Sequence, residues 1–198
     1  LFKSIADAER LYIPTDKDGI AVFAEYQEGM SLTEKLNTNR SAKDFFFPQT
    51  ENLYDVKMKD KKIEITDNRK ECEDFVVFGV RACDVRSFSI LDKVYLVDPV
   101  DSYYKNRREH ATIISLACGR PEETCFCQSF GINPAEPEGD ARAWIVGDEL
   151  YIEPISDKGV ALIERLKPVL VDTDEAVVDM AKEAIQTVMS RLPLAKLS

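Results

Sequence analysis

Two near-continuous apolar runs mark the middle of the chain. Residues 74–80, DFVVFGV, and 111–117, ATIISLA, are rich in β-branched side chains, the pattern of strands covered on both faces. Each adjoins a polar stretch of helical character. CDVRSFSILDKVYL (83–96), with Val85, Phe88, Leu91 and Val94 near helical spacing, follows the first, and the charged DSYYKNRREH (101–110) precedes the second. That order predicts a β-α-β unit whose two strands run parallel.

The flanks are read in the same way. SIADAERL (4–11) predicts a short helix with Ser4 as its cap and Asp7 in its first turn. GIAVFAEY (19–26) predicts a strand, and KKIEIT (61–66), which alternates with period two, predicts a half-buried strand. KDFFFPQTENLYDV (43–56) is stopped by Pro48 and predicts a short turn of helix after Thr50, its three phenylalanines serving core or interface packing. ARAWIVGDELYIEP (141–154) reads as two short strands about Gly147-Asp148, a hairpin signal. DKGVALIERLKPVL (157–170) and TDEAVVDMAKEAIQTVMSRL (173–192) are helical by period. The second is capped by Thr173, with Ala176, Val177, Met180, Ala184, Ile185, Val188 and Leu192 along one side. PLAKLS (193–198) reads as the start of a linker. The predicted fold class is α/β: a mixed, partly parallel sheet with flanking helices and a C-terminal hairpin plus helices, in a single domain over 1–198.

Composition narrows the function. With 44% hydrophobic and 31% charged residues the chain is neither disordered nor a coiled coil. A net charge of −10 repels phosphate backbones and anionic headgroups, so nucleic-acid partners and membrane insertion are disfavoured. No apolar run approaches the ~18 residues of a spanning helix, and Leu1-Phe2-Lys3 opens no signal peptide. The reading is cytoplasmic. The single histidine, His110, removes most chemistry built on Ser-His or Cys-His pairs or on several imidazoles, and is itself read as structural. There is no glycine-rich phosphate loop and Gly79 is isolated, so a stand-alone enzyme is the poorest option. Asp84 and Asp92, which bracket the helix at 83–96, are explained as a cap and a solvent contact.

The chemistry therefore rests on cysteine, and three of the five cysteines fall within ACGRPEETCFCQSFG (117–131). Cys83 lies just beyond the 74–80 strand at the head of a helix, and Cys118 just beyond the 111–117 strand. Both stand at carboxyl ends of neighbouring strands, where open α/β sheets place ligands. The turn after Cys118 can return Cys125 and Cys127 to the same crevice, giving four thiols spaced C-x34-C-x6-C-x-C. Thiolates suit iron–sulfur clusters and zinc. The helix amino terminus at Cys83 lowers a thiol pKa, Arg81 adds positive charge, and Gly119 and Gly131 let the backbone pass close by. Cys72 lies apart, as a free thiol or packing residue. Spacing alone leaves three readings open: small buried side chains, a cluster or zinc site, and a redox disulfide at Cys125-x-Cys127.

FGVRACDVRSFSILDKVYL followed by DSYYKNRREHATIISLACGRPEETCFC closely resembles the amino-terminal domain of the sulfhydrogenase beta-subunit family, shared with the A subunit of anaerobic sulfite reductase. KDFFFPQTENLYDV resembles the Lys-Phe-Phe-Phe-Pro segment ahead of it, and the likeness covers roughly residues 40–130. The resemblance places Cys83, Cys118, Cys125 and Cys127 on family cysteines and implies a [4Fe–4S] cluster, with zinc as the less favoured occupant. Tyr103, Tyr104, Arg107 and Arg108 match a Tyr-Tyr-x-x-Arg-Arg-Glu segment that braces the site loop or clamps an acidic partner surface, or stands as a solvated helix face. The implied function is electron transfer without bond chemistry, between a flavin- or ferredoxin-like partner and a catalytic subunit of a hydrogenase- or sulfite-reductase-type complex. The alternative is a structural docking module of such a complex, whose cysteines do not ligate. The resemblance further implies that 1–198 is the amino-terminal domain of a longer iron–sulfur subunit, its ferredoxin-type cysteine runs lying outside this chain.

Overall fold

The computed structural model describes residues 1–67 and 72–193. Its sheet is built outward from β5 (Phe75–Val80), all six of whose residues are buried, and β6 (Ala111–Leu116), which pair in parallel as the apolar runs predict. β1 (Arg10–Lys17) adds in parallel beside β5, and β7 (Ala141–Val146) in parallel beside β6. Antiparallel neighbours close both sides, β2 (Ile20–Glu25) on β1 and β8 (Glu149–Pro154) on β7. The order is β2-β1-β5-β6-β7-β8, and a separate hairpin pairs β3 (Tyr54–Lys59) with β4 (Lys62–Asp67).

Because side chains alternate along a strand, β5 feeds two cores. Val76 and Phe78 join Ile5, Leu11, Leu162 and Leu166 on the face covered by α1 (Phe2–Ala6) and α4 (Asp157–Leu166). Phe75, Val77 and Val80 join Val85, Phe88 and Tyr104 on the face covered by α2 (Ala82–Tyr95) and α3 (Ser102–His110). A third cluster around Trp144 seats Ile185 and Met189 of α5 (Glu175–Ser190). Each fully buried leucine or phenylalanine contributes about 2 kcal/mol relative to exposure.

Polar pairs fix how these elements meet. Arg108 of α3 makes a two-pronged ion pair with Asp92 of α2, at 2.9 Å to each oxygen, and Tyr104 donates its hydroxyl to the same carboxylate at 2.6 Å. The guanidinium lies over the rings of Phe46 and Phe88. Lys158 of α4 donates to the carbonyls of Arg108, Glu109 and Ala111 where α3 ends, a cation where the helix dipole favours one. Asp140 ties β6 to α4, accepting from the Ile113 amide at 2.8 Å and the Ser156 hydroxyl at 2.6 Å.

Several expectations are corrected. The stretch 4–11 is not one helix: α1 starts at Phe2 and ends at Ala6, and Arg10 and Leu11 already belong to β1. The apolar run of β1, Leu11-Tyr12-Ile13, is short and stops at Pro14, which lacks a donor. The strand accommodates it because Gly79 opposite has no side chain: a Cβ there would stand 2.7 Å from Pro14 Cγ. Residues after Thr50 form no helix but lead into β3, and β4 is exposed along its apolar positions rather than half-buried. Along α2 it is Tyr95 that packs inward, whereas Val94 is exposed. α5 is capped by Asp174, whose side chain accepts from the Ala176 amide at 3.0 Å, not by Thr173. Its packed stripe runs through Val178, Ala181, Ile185, Met189 and Leu192, whereas Met180 and Val188 are exposed. Asp92 is no solvent contact but the partner of Arg108. The linker expected at 193–198 lies outside the described residues from 194 onward.

Candidate cysteine cluster site

Where β5 ends, the chain must turn into α2, and Gly79 makes the turn. Its φ of +85° suits glycine, and the pairing with β6 shifts register between Phe78 and Val80. The bulge delivers Arg81 to the amino cap of α2 in extended conformation, with Cys83 in the first turn. Arg81 donates to the Ala117 carbonyl at 3.0 Å and the Leu36 carbonyl at 3.2 Å, tying the end of β5 to the end of β6. Cys118 follows directly and is buried, its amide held by the Pro134 carbonyl at 3.0 Å.

The loop then returns. Cys125 closes a turn in which its amide donates to the Glu122 carbonyl at 3.0 Å while the Glu122 amide reaches Cys125 Sγ at 3.3 Å. Cys127 opens a short 3₁₀ turn, Cys127–Phe130, that ends at Gly131 with φ +65°. Cys125 and Cys127 pack against the cluster of Trp144, whose indole N–H donates to the Ala135 carbonyl at 2.8 Å.

The four thiols act on one another. The hydrogen bond from the Cys127 thiol, together with backbone amides at the head of α2, lowers the Cys83 thiol to about 7. The same hydrogen bond, then burial and the charges of Cys83, Cys118 and Cys125, hold Cys127 well above the ordinary thiol range. Burial also pushes the Cys118 thiol up, against the pull of Arg81 and of the Ala82 amide. First-turn amides aimed at sulfur are how a helix amino terminus stabilises thiolate. Among the described residues no group of three or more Cys, His, Asp or Glu is placed to hold a metal ion.

The α3 residues read from the sequence all have partners within the fold. Tyr104 and Arg108 are turned inward onto Asp92, while Tyr103 donates to the Leu53 carbonyl at 2.8 Å and Arg107 pairs with Glu51. All four thereby tie α3 to α2 and to the segment before β3. Asp84, in the first turn beside Cys83, is not the cap, a place held by Arg81: it accepts from the Ser41 hydroxyl at 2.7 Å and Lys43 Nζ at 2.8 Å. The Lys43–Phe47 segment is thus fastened to the helix that carries Cys83. Sequence reasoning missed this clamp and the part played by Gly79; the glycine at a strand end was the available signal for the second.

Cys72 packs by the core at the far, amino ends of the strands, and burial raises its thiol. A cavity of about 690 Å³ opens there, far from the four thiols. Three of the five carboxylates that line it are engaged, Glu73 by Arg10, Asp74 by His110 at 2.7 Å and Glu9 by Arg165. His110 is thus a pairing residue, as read.

Over 131 residues, 66% of this chain, the sequence is 34% identical to sulfhydrogenase 2 subunit beta of Pyrococcus furiosus; the aligned region spans 37% of that protein. No family model matches the chain, and no solved structure matches it. Among the described residues no helix is long and apolar enough to cross a membrane.

Proposed function

Because the chain belongs to the sulfhydrogenase beta-subunit family, we propose that it is an electron-transfer part of a multisubunit oxidoreductase, with Cys83, Cys118, Cys125 and Cys127 as ligands of a [4Fe–4S] cluster. The observation that carries this reading is the placement of the cysteines: Cys83 in the first turn of α2 after β5, Cys118 just beyond β6, and Cys125 and Cys127 on the following loop against the Trp144 cluster. The donor set is all sulfur, as such a cluster takes.

When bound, the cluster supplies one-electron storage at a potential set by its surroundings. The chain's own residues do the rest. Amides of Ala82, Cys83 and Asp84 and the Arg81 guanidinium offset negative charge on the sulfurs, and Trp144 with its neighbours keeps one side of the crevice dry. Electrons pass between a flavin- or ferredoxin-like partner and a catalytic subunit, in the cytoplasm. The competing reading, a docking module with packing cysteines, is separated from it by serine substitution. After anaerobic reconstitution the unaltered chain is expected to show a broad band near ~400 nm that bleaches on reduction. Cys83→Ser and Cys118→Ser should each lose most of that band, and Cys72→Ser should keep it. An equal spectrum in all four proteins contradicts the assignment.

A further inference from the structure

Cys83 and Asp84 are neighbours in the first turn of α2, at a helix end that favours negative charge. Two anions there share one dipole and repel each other, so a carboxylate beside a cluster ligand asks for a reason. Arg81 holds the amino-cap position, and Asp84 turns its Oδ1 away from the helix. That oxygen accepts from the Ser41 hydroxyl at 2.7 Å and from Lys43 Nζ at 2.8 Å, partners 43 and 41 residues away in sequence.

Lys43 is held in place for this contact. It lies in the 3₁₀ turn Ala42–Phe45, capped by Ser41, whose Oγ accepts from the Lys43 amide at 3.2 Å. Ala42 and Phe46 on either side are buried in the core that also contains Val85 and Phe88 of α2. The backbone that carries the ammonium is thereby packed against the helix that carries Cys83. With Asp84 at 22% exposure and Lys43 at 40%, the pair contributes little to stability. Its effect on charge beside Cys83 is larger, because water screens a half-buried position only in part.

Reduction adds one electron, and so one negative charge, to a cluster, and the charge around a cluster is among the features that set its potential. An unpaired carboxylate on the residue after a ligand opposes that added charge, and an ammonium bonded to the carboxylate cancels the opposition. We propose that the Lys43–Asp84 ion pair tunes the reduction potential of the cluster site, Lys43 acting through Asp84 as a positioning residue and not as a ligand. The inference rests on the [4Fe–4S] reading.

Redox titration of the reconstituted chain, followed by the visible band and by the electron paramagnetic resonance of the reduced state, tests it. Lys43→Met leaves the carboxylate unpaired and should shift the reduction equilibrium about tenfold towards the oxidised form, a midpoint about 59 mV lower for one electron. Asp84→Asn leaves the ammonium unpaired and should raise the midpoint by a similar amount. The double variant should return to within about threefold of the unaltered protein, since both charges leave together, and Lys43→Arg should stay there. Lys3→Met removes one exposed cation from its pair with Glu28, reports the effect of net charge alone, and should leave the midpoint where it was. Iron and sulfide are counted in every variant. Single variants that carry a full cluster at the unaltered midpoint overturn the inference, as do shifts of the same sign in both. Asp84→Asn, which keeps the shape of the side chain, carries the test alone where Lys43→Met takes up no cluster. An unaltered chain that takes up no cluster overturns the cluster assignment itself, and this inference with it.

Discussion

Asp92 receives the guanidinium of Arg108 and the hydroxyl of Tyr104, and both favour its ionised form. Burial pushes its carboxyl up, but these hydrogen bonds outweigh burial, and the net result lies below the ordinary carboxylate value. A folded-state pKa below the unfolded one contributes stability that is present above the unfolded value of about 3.9 and is lost as pH falls through the folded value. Asp92→Asn should therefore cost about 2 kcal/mol at neutral pH, where it leaves Arg108 without its counter-charge. The deficit should shrink as pH drops below about 4. Urea denaturation at the two pH values checks this, and a deficit that does not change with pH contradicts it. Contacts of this sort were hidden from sequence reading for a simple reason. Asp92 meets residues 104 and 108, and Asp84 meets residues 41 and 43, and no periodicity links positions so far apart. The four cysteines were legible as candidates because cysteine carries its chemistry in its identity; their mutual hydrogen bonding was not.

At the scale of elements, legibility followed burial. β5, β6, α2 and the β7–β8 hairpin each write a strong apolar or turn pattern into the chain, and the structure places them as read. β1 does not, because its apolar run is only three residues long before Pro14 and lacks the β-branched length that marks its neighbour β5. β3 was overlooked because its alternation follows a proline and ends in lysines, and because its apolar positions, Val56 and Met58, stay exposed among the described residues. The Pro14–Gly79 contact offers a test of how the site end of β5 is shaped. Gly79→Ala should destabilise by about 3 kcal/mol, since it combines a strained φ with a Cβ against Pro14. In a Pro14→Ala background, thermal or denaturant unfolding should show a penalty smaller by about 1 kcal/mol, because only the steric part is relieved. An equal penalty in both backgrounds contradicts the packing account.

Across the whole molecule, the two ends of the sheet differ in chemistry. Carboxyl ends of β5 and β6 gather thiols, amides and Arg81, while the amino ends gather carboxylates already paired with Arg10, Arg165 and His110. Open α/β sheets place ligands at carboxyl ends, so topology and residue chemistry agree on where a cofactor belongs. The chain is 34% identical to sulfhydrogenase 2 subunit beta over a region that spans 37% of that protein, and an oxidoreductase complex is the setting proposed for it. Iron and acid-labile sulfide per chain, measured with zinc on protein purified and reconstituted without oxygen, test the central claim most directly. The account predicts about four iron and about four sulfide per chain, both lost together in Cys83→Ser; protein free of sulfide, or holding one zinc instead, contradicts it.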